Sequence, residues 1–354
     1  MNPTPANPGT SWLALDVGGA NIKAAHSSGQ ARVLPFEVWK RPGDLGKVIA
    51  TLASTFPPFA GVALTMTAEL CDCYPTKSHG VSAVLDSVLQ ALPGHVVRIW
   101  GRDEEFHSVD EIHARTDLAA AANWLALALV AARLLPAGEG LLIDIGSTTT
   151  DLIPLRDMRV ATQSRTDTER LQTGELVYAG VRRTPFCALA TELPFRGAVT
   201  GLSAELFAST HDVYLTLGDI PPDPKDLATA DGRPATLDAA RDRLARMVGA
   251  DRETFSANDA RSLSFAADSA LVARLASAAQ RACAATIGLP RGAVVAGSGE
   301  FLARRVAQRV IDLGAPIVSL NQAWGPVTSG AGCAHALAVL AAERNGELAT
   351  PAQR

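Results

Sequence analysis

Short apolar runs punctuated by glycine and polar clusters dominate the chain, and the run that organises the others lies near its middle. In GEGLLIDIGSTTTDLIP, residues 138 to 154, Leu141-Leu142-Ile143 leads into Asp144. Gly146 and the hydroxyl residues Ser147 to Thr150 follow, and Asp151 precedes a second apolar run, Leu152-Ile153. This pattern predicts a β-hairpin with a polar tip. Gly146 lets the tip turn sharply, while Ser147, Thr148 and Thr149 add donors without filling the space, so the tip suits a phosphate. Asp144 and Asp151 would repel that anion unless a divalent cation such as Mg²⁺ bridged carboxylate and phosphate oxygens. An ordinary polar turn without a ligand draws on the same residue types.

The stretch WLALDVGGANIKAA, residues 12 to 25, repeats the pattern. A constant offset of 128 residues aligns Asp16 with Asp144, Gly18 with Gly146, Gly19 with Ser147, Asn21 with Thr149 and Lys23 with Asp151. Two strand-turn-strand units of this kind predict a duplicated α/β architecture with two phosphate-facing loops closing on one cleft. Asp16 is then a second candidate metal ligand, and Lys23 is either a phosphate contact or a surface charge.

Between the two units the patterning predicts a strand at Val33 to Val38, a helix from Asp44 to about Phe56, and a buried strand Gly61 to Leu64. That strand runs into TMTAELCDCYPTKSHGV, unusually rich in chemistry for a loop at a strand end, where open α/β sheets bind ligands. Thr67 and Lys77 are candidate substrate contacts. Glu69 and Asp72, three apart, are expected to share a helical face as a base or metal pair; a solvated helix start is the competing reading. A helix Val81 to Leu92 and a strand His95 to Trp100 follow. The run from about Asp117 to Leu135 is apolar on nearly all sides and predicts a buried helix, in which Asn123 needs a polar partner.

Beyond the central hairpin the pattern predicts a strand at Met158 to Thr162 and a short helix or turn over 174 to 181. Arg182 and Arg183 come next, as bidentate anion contacts or surface charges. Residues 196 to 262 read as an irregular insertion, Asp268 to Gly288 as a helix, and 293 to 295 as a strand. Gly297-Ser298-Gly299, between that strand and a helix from Phe301 to Leu313, forms a third anion-facing turn. A strand at Ile317 to Ser319 and a helical segment from about 328 complete the chain.

These elements predict a disordered lead at 1 to 11, a first domain from 12 to 136 plus about 328 to 354, and a second from 137 to 327. A formal net charge of -4 gives no electrostatic footprint for nucleic acid. No apolar window is long enough to span a bilayer and no signal-like leader is evident, so a cytoplasmic protein without a membrane partner is expected. Five cysteines without repeated spacing read as reduced thiols, and Cys71-Asp72-Cys73 lacks a second cluster to complete a metal site. A homo-oligomer is compatible with all of this.

The Asp-Val-Gly-Gly turn, the DIGSTTTD hairpin and the late Gly-Ser-Gly turn together resemble the superfamily of acetate and sugar kinases, heat-shock chaperones and actin. Within it, DIGSTTTDLIPL, TMTAELCDCYPTKSHGV and TGELVYAGVRRTP are most similar to hydantoinase A/oxoprolinase-related proteins linked to tetrahydromethanopterin one-carbon transfer, whose archaeal members are furan-methanamine synthases of methanofuran biosynthesis. The resemblance implies a two-domain actin-like (ribonuclease H-like) fold with a central cleft. It also implies a transferase that joins an aminomethyl-furanmethyl diphosphate to a phenol, γ-glutamyltyramine or tyrosine, with loss of pyrophosphate; the product would be methanofuran or methylofuran precursor.

On that reading Gly18, Gly19, Asn21, Lys23, Gly146, Ser147, Thr148, Thr149, Gly297, Ser298 and Gly299 bind phosphate. Asp16, Asp144 and Asp151 hold Mg²⁺, Glu69 or Asp72 is the base, Asp144 also takes part in catalysis, and Thr67, Lys77, Arg182 and Arg183 contact substrate. An ATP-dependent small-molecule kinase and a non-catalytic nucleotide-switched activator are the alternatives, and a ring-opening amidohydrolase is a more distant one.

Overall fold

The apolar runs become the central strands of two sheets. A computed structural model describes residues 11–136 and 138–348, so the expected disordered lead, apart from Ser11, and the residues beyond Leu348 lie outside it. By the clustering of its contacts the chain divides into two units, one of residues 1–140, 155–169 and 318–354, the other of 141–154 and 170–317.

In the first unit, β1 (Trp12–Val17), β2 (Asn21–His26), β3 (Ala31–Pro35), β4 (Gly61–Met66), β5 (Val96–Trp100) and β6 (Phe106–His107) form a sheet of order β3-β2-β1-β4-β5-β6. β1 runs antiparallel to β2 and parallel to β4, and β4 is parallel to β5. Covered on both faces, β1 and β4 are buried at every position, so they read as continuous apolar runs instead of alternating ones.

Beyond β6 come β7 (Glu139–Ile145), β8 (Thr150–Arg156), β9 (Arg159–Val160), β10 (Leu176–Val177), a separate hairpin of β11 (Glu192–Phe195) and β12 (Ala198–Gly201), then β13 (Ala293–Ala296) and β14 (Ile317–Ser319). The second sheet has the order β10-β8-β7-β13-β14, with β9 paired to β8. As in the first sheet, the opening strand is central, its hairpin partner lies on one side and a parallel strand on the other. This repeated order is the ribonuclease H-like topology of a duplicated actin-like fold.

The sequence repeat is also a repeat of hydrogen bonds. Gly18 N–H donates to Asn21 O at 3.0 Å, and Gly146 N–H, 128 residues on, donates to Thr149 O at 2.9 Å. Thr67 N–H donates to Val17 O at 3.0 Å, and Gly299 N–H donates to the equivalent Ile145 O at 2.8 Å.

Several local expectations are corrected. The single helix over 117 to 135 is broken: a 3-10 turn Thr116–Leu118 is followed by irregular backbone, and the α-helix spans only Asn123–Ala131. The strand at 158 to 162 shrinks to β9, because Asp157 and Met158 both turn through positive φ. Residues 174 to 181 are not helical, because Leu176–Val177 pairs with β8 as an edge strand. The insertion at 196 to 262 is largely ordered, holding the β12 edge, helices Thr210–Leu217 and Leu237–Met247, and the start of the long helix Ala257–Ala284. Its prolines fall between these elements, where composition alone resembled a loop.

Candidate active site

In the second unit three segments converge on the end of β7. Val181 N–H donates to Gly146 O at 3.0 Å, and the amides of Arg182 and Arg183 donate to Ser147 O at 3.1 and 2.9 Å. This approach requires Gly180, because a Cβ there would stand 2.5 Å from both Gly146 O and Thr148 N. From the other side comes the turn after β13. Gly297 adopts φ +85°, and a Cβ on it would lie 2.4 Å from Asp144 Oδ1, so the carboxylate packs directly on this turn. Helix Glu300–Val310 starts there.

Among the described residues no protein group accepts from the amides of Ser147, Thr148 or Ser298. The predicted phosphate residues Gly146, Ser147, Thr148, Thr149, Gly297, Ser298 and Gly299 are thus brought together around Asp144, with Gly299 N–H already used to join the two turns. Unbonded amides at the tip of a turn and the start of a helix are what an anion seeks.

Asp151 stands apart from this group. Its Oδ1 accepts from Arg170 Nη2, and that guanidinium is only 2% exposed, so the pair ties helix Asp167–Thr173 to β8. Arg182 is likewise paired, with Asp226, while Arg183 is exposed. His211 lies buried close by. Burial pushes its imidazole down to about 4, with the Arg182 and Arg243 cations adding and Asp226 opposing.

In the first unit the equivalent turn surrounds Asp16, which is 2% exposed. Strand register sets Lys23 of β2 and Thr65 of β4 on either side of it in one row. Lys23 Nζ lies 3.7 Å from Asp16 Oδ2, and Asn123 Nδ2 donates to Asp16 Oδ1 at 3.4 Å. Asn123 thereby finds the partner that its place in an apolar run demands. The Gly18-Gly19 turn faces Thr67, whose Oγ1 would be 3.5 Å from a Cβ on Gly18. Among the described residues no protein group accepts from the amides of Gly19 or Ala20, the counterparts of Ser147 and Thr148.

The expected pairing of Glu69 with Asp72 on one helical face does not occur. Glu69 lies in a 3-10 turn, Ala68–Leu70, that ends at Cys71 in extended conformation, and Asp72 beyond it is exposed. Glu69 is 1% exposed, and its Oε2 is buried with no partner among the described residues. Burial pushes its carboxyl up to about 7; its own backbone amide opposes this, Asp167 adds to it, and Lys77 and the Ala121 amide oppose it. A buried carboxyl poised near neutrality is the property expected of a general base. Lys77, at the exposed start of helix Lys77–Ala91, is close enough to act on it electrostatically.

No three His, Cys, Asp or Glu side chains converge as a metal cage among the described residues. Mg²⁺ does not need one, since it commonly takes one or two protein carboxylates and completes its shell from water and substrate phosphates. Asp144, partly exposed and packed against the Gly297 turn beside the Ser147, Thr148 and Ser298 amides, is placed to supply such a carboxylate.

Residues 60–342 match the hydantoinase/oxoprolinase family. The chain belongs to this family. It is 37% identical over 246 residues to the (4-{4-[2-(γ-L-glutamylamino)ethyl]phenoxymethyl}furan-2-yl)methanamine synthase of Methanocaldococcus jannaschii, a match covering 68% of this chain and 72% of that relative. It is also 38% identical over 119 residues to the synthase of the same name from Methanococcus vannielii, covering 34% of this chain and 53% of that one. Among solved structures it is similar to nucleotide-free acetone carboxylase, with a TM-score of 0.52 and 10% identity over 92% of this chain and 70% of that chain. At such identity the last likeness speaks to the fold alone.

Among the described residues no helix is long and apolar enough to cross a membrane. Sequence reading missed Gly180, Arg170, Asp226 and Ala121. Gly180 and Arg170 left faint signals, a glycine between apolar residues and a cation within a short helix; Ala121 left none.

Proposed function

We propose that this family member is a transferase of methanofuran-type cofactor biosynthesis, which alkylates a phenol with an aminomethyl-furanmethyl diphosphate. The archaeal relative's product, as its name states, contains a phenoxymethyl-furan, an aryl ether whose formation must remove a phenolic proton. The observation that carries the reading is Glu69, a buried carboxyl held near neutrality with one oxygen unpartnered.

In the proposed step the phenol oxygen bonds to the furfuryl methylene as the carbon–oxygen bond to the diphosphate breaks. Pyrophosphate leaves with the bonding electrons, and Glu69 Oε2 takes the phenol proton. Within the second unit the Ser147, Thr148 and Ser298 amides are proposed anion contacts, and Asp144 is the carboxylate there that would hold Mg²⁺. When bound, that ion would offset the charge building on the leaving group. Arg183 and Lys77 are proposed anion contacts, and Arg182 would need to exchange Asp226 for substrate.

The test is incubation of the purified protein with Mg²⁺, the furanmethyl diphosphate and either γ-glutamyltyramine or tyrosine, in the absence of ATP. Pyrophosphate and the coupled ether, detected by mass, are expected, and the acceptor that reacts is thereby identified. Absence of ether, with ADP formed when ATP and an acceptor are supplied, would replace this reading with the kinase.

A further inference from the structure

The second unit also holds a cleft of about 290 Å³, between the edge strand β10 and the long helix Ala257–Ala284. Its two sides differ in chemistry. On the strand side Leu176 and Val177 are buried, and Leu171 and Tyr178 are each 48% exposed, so this wall is largely apolar. On the helix side Arg274, Ser277, Ala278 and Arg281 fall at i, i+3, i+4 and i+7, which puts them on one face over two turns. The small Ser277 and Ala278 leave the space between the two long cations open. A Cβ on Gly174 would stand 2.9 Å from Ala278 O, so the turn before β10 and the helix touch there.

Both guanidinium groups are held without being neutralised. Arg274 Nη1 donates to Ala188 O at 3.1 Å, and Arg281 Nη1 donates to Ser277 Oγ at 3.1 Å. Each bond uses one donor on a neutral acceptor and leaves the remaining N–H groups of that guanidinium, while Ser277 keeps its own hydroxyl proton to donate. Among the described residues neither arginine pairs with a carboxylate, and no Asp or Glu lines the cleft. Other arginines of this unit are answered: Arg182 by Asp226, Arg196 by Asp259, Arg243 by Asp212 and Arg305 by Asp219. Two fixed cations about 10 Å apart along the helix axis, facing an apolar wall, match an anion with an apolar body.

We infer that this cleft is a binding site for a small organic anion, a phosphate monoester or a carboxylate, with Arg274, Ser277 and Arg281 on the anionic group and the β10 wall against the apolar body. Its volume lies at the small end for ligand clefts and suits a single ring with its acidic group better than a nucleotide. The cleft shares no residue with the turn of Ser147 and Thr148, and it stands apart from the reading of Glu69 as base. The chain nevertheless connects it to that turn. Leu176 and Val177 are in register with Asp151 and Thr150, and Val181, three residues past Tyr178, donates to Gly146 O. A ligand in the cleft touches the segment that leads into the anion turn.

Calorimetric titration of the full-length protein with phenyl phosphate, benzoate and inorganic phosphate tests the site. Phenyl phosphate or benzoate is expected to bind, the tighter of the two telling phosphate ester from carboxylate, and inorganic phosphate, without the ring, should bind more weakly than either. Arg274→Ala and Arg281→Ala should each weaken the tighter ligand roughly tenfold, the worth of one charge-assisted hydrogen bond. Ser277→Phe, at an exposed helical position, should block the cleft while both cations remain. Arg261→Ala removes an exposed cation of the same helix outside the cleft and should leave the affinity unchanged. Failure of both ring compounds to bind overturns the site, and so does an affinity that survives all three cleft variants, since the ligand then sits elsewhere. An equal loss in Arg261→Ala overturns it as mere surface charge, and inorganic phosphate binding as tightly as the ring compounds overturns the apolar contact.

Discussion

A carboxyl group whose burial opposes its ionisation makes the folded state disfavour the charged form, and Glu69 carries that cost openly. Its carboxyl rises from 4.5 to about 7 on folding. Below the lower value both states are protonated and there is no penalty. As pH rises through this window the unfolded chain loses the proton first, so stability falls, and above about 7 the whole penalty stands. A shift of that size corresponds to about 3 kcal/mol at most. Glu69→Gln removes the titration, so its stability relative to wild type should be greater at pH 8 than at pH 5 by up to about that amount. Urea denaturation at the two pH values measures the difference, and an equal offset at both would contradict the burial argument. At Gly180 the limit is steric. A Cβ would meet backbone of the 146–148 turn at 2.5 Å, and backbone cannot swing aside as a side chain tip can. Gly180→Ala should therefore cost about 1–3 kcal/mol and lower diphosphate affinity, read by denaturation and by calorimetric titration with the furanmethyl diphosphate.

Helix Asp167–Thr173 is only seven residues long, too short to persist on its own, and its buried Arg170 binds both Asp151 of β8 and the Glu175 carbonyl. Removing the guanidinium leaves a carboxylate facing a poorly hydrated pocket. Arg170→Ala is expected to destabilise the protein by roughly 3 kcal/mol, and Asp151→Asn together with Arg170→Met should recover part of the loss, because replacing both partners removes the stranded charge. A double-mutant cycle by denaturation tests this. If Asp151 were a metal ligand instead of a structural partner, Asp151→Asn alone would abolish Mg²⁺-dependent diphosphate binding; binding is expected to survive that change and to be lost in Asp144→Asn.

For the molecule as a whole, the repeat of sheet order and of hairpin hydrogen bonds gives each unit a turn with unbonded amides, while their charges have diverged. Lys23 faces Asp16 in the first unit; its counterpart in the second is Asp151, answered by Arg170. A diphosphate ligand that binds the folded state alone raises stability by mass action, by about 2.7 kcal/mol at a hundredfold excess over its dissociation constant. With Mg²⁺ present, the furanmethyl diphosphate should raise the melting temperature by a few degrees, and ATP at the same concentration should not. Equal shifts with the two ligands would favour a nucleotide-using enzyme.

The duplication, the three glycine turns, the aliphatic central strands and the family were all legible in the sequence, because each depends on local residue type at a fixed spacing: the 128-residue offset carries the Gly18-to-Asn21 hydrogen bond onto the one from Gly146 to Thr149. Asn123 was visible as a polar residue in need of a partner, though not which partner. What only the tertiary structure decided were properties that arise when distant segments meet. Glu69 and Asp72 look alike three residues apart, and burial under neighbouring elements separates them. Asp144 and Asp151 look alike across one hairpin, and a guanidinium from a later helix occupies the second. The left-handed turn at Ala121, where φ is +50°, has no signature at all, since the four alanines 119 to 122 prefer helix and only the grip of the surrounding unit forces one of them out of it.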